Sequence, residues 1–298
     1  MPTLFWSKLG SMNNLILSTH IENLLVARNP RGMQTLQAAL VPGYYLRAAQ
    51  LVQTASTLSN LSTSASTVLI GTGFPVAGTY ETDGPVGAIA LYRALEAIGM
   101  DPVLVCGAPL ADAIANDYRV HKITVGDPAV SKVEAERALE QHQPSLVISI
   151  ERPGMAADGH YYNMRGEDIS PACASFDYFL SLASCPTIAI GDGGNEIGMG
   201  NVATTLEQLN IIPSATCCDE LLIADVSNWG AHGLIAMLSV LREQDMLLGW
   251  DNLASLQYLS ERGSVDGVTR ENRLTEDGLS ADISEKLIKD LRKLGGFC

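Results

Sequence analysis

The chain has 298 residues, of which 33 are acidic and 19 are Lys or Arg, and its formal net charge is −14. A surface this acidic repels phosphate backbones and anionic lipid headgroups, so we expect neither nucleic acid nor a membrane as a partner. Hydrophobic residues make up 47% of the chain and charged residues only 17%, which excludes a disordered chain and favours a globular protein with many buried strands.

Apolar residues recur at helical spacing over the first sixty residues. The pattern is interrupted at Asn29-Pro30-Arg31-Gly32 and resumes in a second helical stretch from Tyr44 to about Leu58. We interpret the polar run from Ser59 to Ser66 as a loop, because apolar periodicity resumes directly after it. Residues 1–60 are therefore predicted to form a helical N-terminal segment.

Six short apolar runs follow, each with a glycine or an acidic residue at its end or just beyond it. We predict strands over residues 68–70, 103–105, 123–125, 146–150, 187–190 and 221–224, and helices over residues 86–98, 133–142, 234–242 and 287–294. Apolar strands that alternate with helices are typical of a three-layer α/β fold, in which a mainly parallel twisted sheet carries helices on both faces. We expect one domain over residues 1–298, an α/β core over residues 67–298, and ligands at the carboxyl ends of the strands.

The densest chemical signal follows the fifth predicted strand, where five of the ten residues from Gly191 to Gly200 are glycine. Glycines let the backbone approach a ligand closely, and carboxylate and amide oxygens are the ligands that Mg²⁺ or Mn²⁺ prefers, with Ca²⁺ as an alternative. The residues concerned are Asp192, Asn195, Glu196, Gly193 and Gly194. A tight strand-to-helix turn is the other interpretation, although a helix cap needs only one acidic residue.

Carboxylates also follow the first and fourth predicted strands. Glu81 and Asp83 lie just before a helix, where they can bind a cation or merely offset the helix dipole. Glu151 ends a strand beside Arg152, and such charges are costly to bury unless they are used or paired with each other. Arg152 and Arg165 are candidates to bind a substrate carboxylate, because a guanidinium group can donate two hydrogen bonds to it.

Two later segments carry weaker signals. Asn228, close behind the last predicted strand, is a candidate amide contact to a substrate, and Asp266-Gly267 is either a surface turn or part of the site. The glycine pattern of a dinucleotide-binding loop is incomplete at Val76, and no GxxxxGK[ST] motif occurs, so we expect no nucleotide cofactor.

Several of these segments resemble motifs of the D-glutamate cyclase family, and more closely of its C-terminal domain. The resemblance runs from about Ile21 to the C-terminus, and the string from Gly191 to Gly200 is its most specific part. The other segments are residues 72–76, 81–85, 149–154, 163–166, 168–170, 228–230 and 266–269. Vertebrate members of the family are larger and mitochondrial, and this chain resembles their later part.

The resemblance implies a lyase that converts D-glutamate to 5-oxo-D-proline and water. The α-amine would attack the γ-carboxyl carbon, and a divalent metal ion would polarise the γ-carboxylate. Glu151 or Glu81 would transfer protons, with Asp192 as a third catalytic carboxylate. The metal ligands would be Asp83, Asp192, Asn195 and Glu196. The substrate would be bound by Arg152, Arg165, Asn163, Gly193, Gly194 and Asn228.

Two other functions are compatible with the same residues. Carboxylates that bind a divalent metal ion, together with the backbone amides of glycine-rich loops, would also suit a phosphatase that acts on a small phosphate ester. A non-catalytic module that binds a small ligand is the remaining interpretation. For the enzyme we expect a small anionic substrate, and assembly into a homo-oligomer is compatible with the sequence. We expect a cytoplasmic location, because the first basic residues are Lys8 and Arg28 and the N-terminus lacks a secretory or mitochondrial pattern.

Overall fold

The structure, a computed structural model, describes residues 2–59 and 66–297. Its N-terminal part is helical as predicted, with α1 (Pro2–Leu25), α2 (Met33–Gln37) and α3 (Tyr44–Ser59). Most of the polar run predicted as a loop, residues 60–65, lies outside the described residues. Among the helices of the described ranges, none has the length and the apolar character that crossing a membrane requires.

A six-stranded sheet forms the centre of the molecule. The strands of the chain are β1 (Thr67–Thr72), β2 (Pro75–Val76), β3 (Thr79–Tyr80), β4 (Asp101–Cys106), β5 (Val120–Lys122), β6 (Leu146–Ile150), β7 (Thr187–Gly191), β8 (Glu220–Ile223), β9 (Thr275–Glu276) and β10 (Leu279–Ser280). The sheet has the order β5-β4-β1-β6-β7-β8, and all its neighbouring strands are parallel. The short strands β2 and β3 form one hairpin, and β9 and β10 form another.

Helices cover the sheet on both faces, which confirms the predicted three-layer α/β fold. Beyond α3 they are α4 (Pro85–Ala97), α5 (Leu110–Ile114), α6 (Pro128–His142), α7 (Asp177–Ser181), α8 (Ala203–Leu206), α9 (Ser227–Arg242), α10 (Asn252–Ser260) and α11 (Ala281–Leu294). Helices α3, α4 and α9 pack together in one layer, whereas α6 and α7 pack together in the other. The core strands are buried along nearly their whole length, as parallel strands between two helical layers must be.

One predicted strand is misplaced. The strand expected over residues 123–125 is wrong, because β5 ends at Lys122, where the ladder with β4 ends at the pair Cys106–Lys122. Val125 lies beyond the ladder and instead forms an isolated antiparallel bridge with Ala174. This edge strand is short and only partly buried, so its apolar pattern is weak.

The strand order reverses between β1 and β6. The chain runs outward from β1 through β4 to β5, and then crosses to β6, β7 and β8 on the other side. At such a switch point the loops that follow two neighbouring strands separate, and they leave a crevice at the carboxyl edge of the sheet. The loops after β1, β6 and β7 meet at this crevice.

Candidate active site and metal centre

Three buried carboxylates converge at the crevice. Asp83 lies between β3 and α4, Glu151 directly follows β6, and Asp192 directly follows β7. One carboxylate oxygen of each residue lies within 4.8 Å of the corresponding oxygens of the other two, and all three residues are at most 5% exposed. Carboxylates from segments far apart in sequence therefore meet at one place, as the sequence predicted.

The first turn of α9 holds the carboxylate of Asp83. Its Oδ1 accepts hydrogen bonds from the backbone N–H groups of Asn228 and Gly84 at 2.7 and 2.9 Å, and its Oδ2 accepts one from the N–H of Ser227 at 2.9 Å. Gly84 has a φ of 88°, and a Cβ at this position would lie 2.7 Å from the Cβ of Glu151. Only glycine lets the loop that carries Asp83 come this close to the end of β6.

Glu151 adopts a backbone conformation that is costly for any residue except glycine. Its φ is 46°, and such left-handed conformations in non-glycine residues concentrate at functional sites. The side chain is held by the hydroxyl of Ser227, which donates to Oε2 at 2.5 Å. The strained turn and this hydrogen bond together point the carboxylate towards Asp83 and Asp192.

Arg31, from the loop between α1 and α2, supplies a positive charge beside the trio. Its guanidinium group forms short contacts with the carboxylates of Asp192 and Asp277, and it donates to the carbonyl oxygens of Asp192 and Asp225 at 3.0 Å. The sequence prediction missed both Arg31 and Asp277. In the sequence, Arg31 lies in the polar turn Asn-Pro-Arg-Gly and Asp277 in the polar turn Glu-Asp-Gly, and neither turn indicates a functional site.

Three further polar residues surround the trio. Glu196 Oε2 accepts a hydrogen bond from the N–H of Gly194 at 2.7 Å. Asn195 donates to the carbonyl oxygen of Tyr162 at 2.9 Å, whereas its buried Oδ1 has no hydrogen-bond partner among the described residues. Glu81 packs so closely on Gly267 that a Cβ there would lie 1.8 Å from Glu81 Oε2.

The buried carboxylates of the site bind protons more tightly than usual. Burial raises the pKa of Asp83 to about 7, and the charges of Asp277 and Glu276 add to the effect. Burial is also the main reason that the pKa values of Glu81, Glu151 and Asp192 lie well above their ordinary values. It raises the pKa of Glu196 as well. Arg31 opposes the shift at Asp192 but does not cancel it. The cluster therefore needs either protons or a cation to remain buried.

The donor set fits a hard divalent cation. All three groups of the trio are carboxylates, and the unpartnered Oδ1 of Asn195 offers a further oxygen of the kind that Mg²⁺, Mn²⁺ or Ca²⁺ binds. The trio includes Glu151, which the sequence predicted as a base, together with the predicted ligands Asp83 and Asp192. The other predicted ligands, Asn195 and Glu196, lie beside the trio and line the same cavity.

A cavity of about 520 Å³ adjoins the trio: Glu151 and Asp192 line it, whereas Asp83 is not among its lining residues. Seven of the predicted site residues line it: Glu81, Glu151, Asn163, Arg165, Asp192, Asn195 and Glu196. The side chain of Asn163 is engaged within its own loop, where it donates to Glu167 and accepts from two backbone N–H groups. The guanidinium groups of Arg165 and Arg270, which also line the cavity, have no hydrogen bond or ion pair with any described residue.

Arg152 does not lie among the residues that line this cavity. Its Nη1 donates to the carbonyl oxygens of Thr72 and Gly73 at 3.0 and 2.7 Å, and the side chain lines a separate cavity of about 20 Å³. These contacts direct the Arg152 side chain to the loop after β1 and away from the cavity that Glu151 lines. This location does not support the predicted role of Arg152 in binding a substrate carboxylate.

Asn228 also has a different role from the one predicted. Its Oδ1 accepts hydrogen bonds from the N–H groups of Gly84 and Gly87, both at 2.8 Å, and its Nδ2 donates to Thr82 and Glu276. All four hydrogen-bonding positions of the side chain are thus used inside the protein. Asn228 joins the first turns of α4 and α9, so it positions the site and has no group left for a substrate.

Gly193 and Gly194 were predicted to contact the substrate. A Cβ on Gly193 would meet Glu196, Met164 and Asn195, all within 3.1 Å. A Cβ on Gly194 would meet Ile211 and Leu206, away from the carboxylates. Close packing therefore explains both glycines, and their contact with a substrate stays a prediction.

The strand order, the crevice and the buried carboxylates define a doubly wound α/β domain with an acidic, oxygen-rich site. The family model described as "D-glutamate cyclase-like, C-terminal" matches residues 21–292, so the chain belongs to this family, as its motifs predicted. The human protein named "D-glutamate cyclase, mitochondrial" is 32% identical over 226 residues. That region covers 67% of this chain but only 36% of the human protein, so the chain spans little more than a third of this relative.

Proposed function

We propose that the chain is a D-glutamate cyclase-like lyase, which closes D-glutamate to 5-oxo-D-proline with loss of water. Family membership supports this reaction class. The observation that carries it is the buried trio Asp83, Glu151 and Asp192, two of which, Glu151 and Asp192, line a cavity that also holds guanidinium groups unpaired among the described residues. A dicarboxylic amino acid needs both features, one for each of its ends. We further propose a cytoplasmic location for this chain, although the human relative is named as mitochondrial.

The trio would hold a divalent cation, with Mn²⁺ or Mg²⁺ as the best candidates for its carboxylate ligands. The bound cation supplies Lewis-acid polarisation of the γ-carboxylate and stabilises negative charge on its oxygen. Arg31 keeps Asp192 oriented through its contact with the carboxylate and its hydrogen bond to the carbonyl oxygen. Such outer contacts fix the geometry of ligating side chains.

Arg165 or Arg270 would bind the α-carboxylate of the substrate. Both guanidinium groups are exposed at the cavity and unpaired among the described residues, so neither gives up an internal ion pair to bind a ligand. With both ends of D-glutamate held, the α-amine is kept near the γ-carbon. Confining the reacting groups in this way lowers the entropic part of the barrier.

Glu81 is the best-placed proton carrier, because it lines the cavity and lies outside the trio. Burial raises the pKa of its carboxyl group well above the ordinary value, which favours the protonated form that donates to the departing oxygen. Glu151 is the second candidate for accepting the proton of the α-ammonium group. Its hydroxyl partner Ser227 fixes the carboxylate in place for either role.

The test is an assay of primary-amine loss with D-glutamate or L-glutamate in the presence of Mn²⁺, alongside phosphate release from a phosphomonoester. We expect loss of D-glutamate, and a drop of at least about a hundredfold in kcat for Glu81→Gln and Glu151→Gln. Glu220→Gln is the control, because Glu220 pairs with Arg47 at the start of β8, the opposite end of the strand from the site. Full turnover by Glu81→Gln would show that Glu81 is not the proton carrier. Phosphate release without loss of primary amine would show that the protein is a phosphatase and not a cyclase.

A further inference from the structure

The cavity is larger than the substrate proposed for it. Its volume of about 520 Å³ has room for about 17 water molecules at roughly 30 Å³ each. D-glutamate has only about ten non-hydrogen atoms, so it would leave much of the cavity to water. A cavity of this size is typical of a ligand with an additional group.

Apolar side chains from three separate segments line the cavity, and we call them the apolar wall. It consists of Val76 in β2, Met164 in the loop after β6, and Val268 in the segment before β9. Met164 is 39% exposed and Val268 is 55% exposed. D-glutamate has no large apolar group to contact this wall, whereas exposed apolar side chains that line a cavity are typical of a surface that binds one.

The cavity also has one cation more than D-glutamate requires. Its γ-carboxyl group belongs at the trio, and its α-carboxylate needs a single guanidinium group. Arg165 and Arg270 are both unpaired among the described residues, so the second can bind another anionic group.

We infer that the site acts on γ-D-glutamyl amides, and best on a γ-D-glutamyl amino acid whose apolar side chain packs against Val76, Met164 and Val268 and whose carboxylate binds the second guanidinium group. This inference rests on the proposed cyclisation. The α-nitrogen forms a bond to the γ-carbon, and the bond from the γ-carbon to the amide nitrogen breaks. Two protons pass from the α-ammonium group to the departing nitrogen, which leaves as the ammonium group of the amino acid. The products are therefore 5-oxo-D-proline and a free amino acid, and water is neither used nor released.

The experiment compares D-glutamate with γ-D-glutamyl-L-leucine on the full chain with Mn²⁺, and measures free leucine and 5-oxoproline. We expect the two products in equal amounts and a kcat/KM at least about tenfold above that for D-glutamate, the gain from burying one leucine side chain. Turnover of D-glutamate alone overturns the inference and leaves the proposed function standing. Turnover of neither compound overturns both.

Variants of the apolar wall test whether its side chains contact the leaving group, as distinct from a general loss of activity. Met164→Ala and Val268→Ala should each lower the ratio of the two kcat/KM values, conjugate over D-glutamate, by about threefold or more, because each removes apolar contact with leucine. Leu248→Ala is the matched control, since Leu248 is 71% exposed and lies outside the cavity, and its ratio should equal that of the unchanged protein. An unchanged ratio in both wall variants overturns the assignment of the wall to the leaving group.

Discussion

The stability of the metal-free protein should fall as the pH rises, because the acidic trio is buried. Burial raises the pKa of Asp83 from 3.8 to about 7, so the folded protein binds this proton more tightly than the unfolded chain does. The stability from this group is fully present below pH 3.8 and is lost as the pH rises through about 7. The difference between the two pKa values corresponds to on the order of 4 kcal/mol.

The charges themselves give a magnitude of the same order. Two ionised oxygens 4.8 Å apart repel by about 3 kcal/mol at an effective dielectric constant of about 20. Such repulsion among three carboxylates is comparable to the whole stability of a typical domain, about 5–15 kcal/mol. A divalent cation offsets the repulsion, but protons compete with it at low pH. Mn²⁺ should therefore stabilise the protein more at pH 8 than at pH 5.

Thermal unfolding with EDTA or with Mn²⁺, from pH 5 to pH 8, measures this effect. We expect Mn²⁺ to raise the Tm at pH 8 by several degrees more than at pH 5. Asp192→Asn, which removes one ligand, should lose most of the rise, whereas the remote Glu220→Gln should keep it. Equal rises at both pH values, or no rise at pH 8, would refute the assignment of the trio to a metal ion.

Three further predictions concern residues that the structure adds or reassigns. Arg31→Met should lower the free energy of unfolding in EDTA by about 3 kcal/mol, because Asp192 and Asp277 lose their buried cation, and by less with Mn²⁺ present; equal losses would contradict the reasoning. Asn228→Ala should cost about 2–4 kcal/mol in denaturant unfolding through its four lost hydrogen bonds, and a cost below about 1 kcal/mol would count against its positioning role. Burial lowers the pKa of His232 to about 3, so the stability it contributes above pH 6.5 falls as the pH drops, by about 2 kcal/mol at pH 5. His232→Gln should therefore be less sensitive to acid between pH 6.5 and 5, and an unchanged slope would exclude this residue as the cause.

The general position of the site could be predicted from the sequence. Strands such as β6 and β7 are continuous apolar runs, and this pattern identifies parallel strands buried on both faces. All carboxyl ends of parallel strands meet at one edge, so Glu151 and Asp192 had to be neighbours once the sheet was correct. Asp83 was less certain, because the β2–β3 hairpin intervenes between β1 and this residue.

The direction of individual side chains could not be predicted. Arg152 follows the end of β6, and Asn228 lies in the first turn of α9. At such positions residue type alone does not say whether a side chain faces the cavity or the protein interior. Arg31 and Asp277 were missed for a related reason. Each lies in a short turn far from the sheet in sequence, and only tertiary packing brings the two to the trio.

The N-terminal segment is part of the site as well as of the fold. Asp225, two residues after β8, accepts hydrogen bonds through Oδ2 from the backbone N–H groups of Arg28 and Asn29, at 2.7 and 3.0 Å. This contact fixes the loop that carries Arg31, whose guanidinium group then reaches Asp192. The loop after β8 therefore acts on the loop after β7 through a residue of the N-terminal segment. Loss of that segment would therefore remove the cation that compensates Asp192.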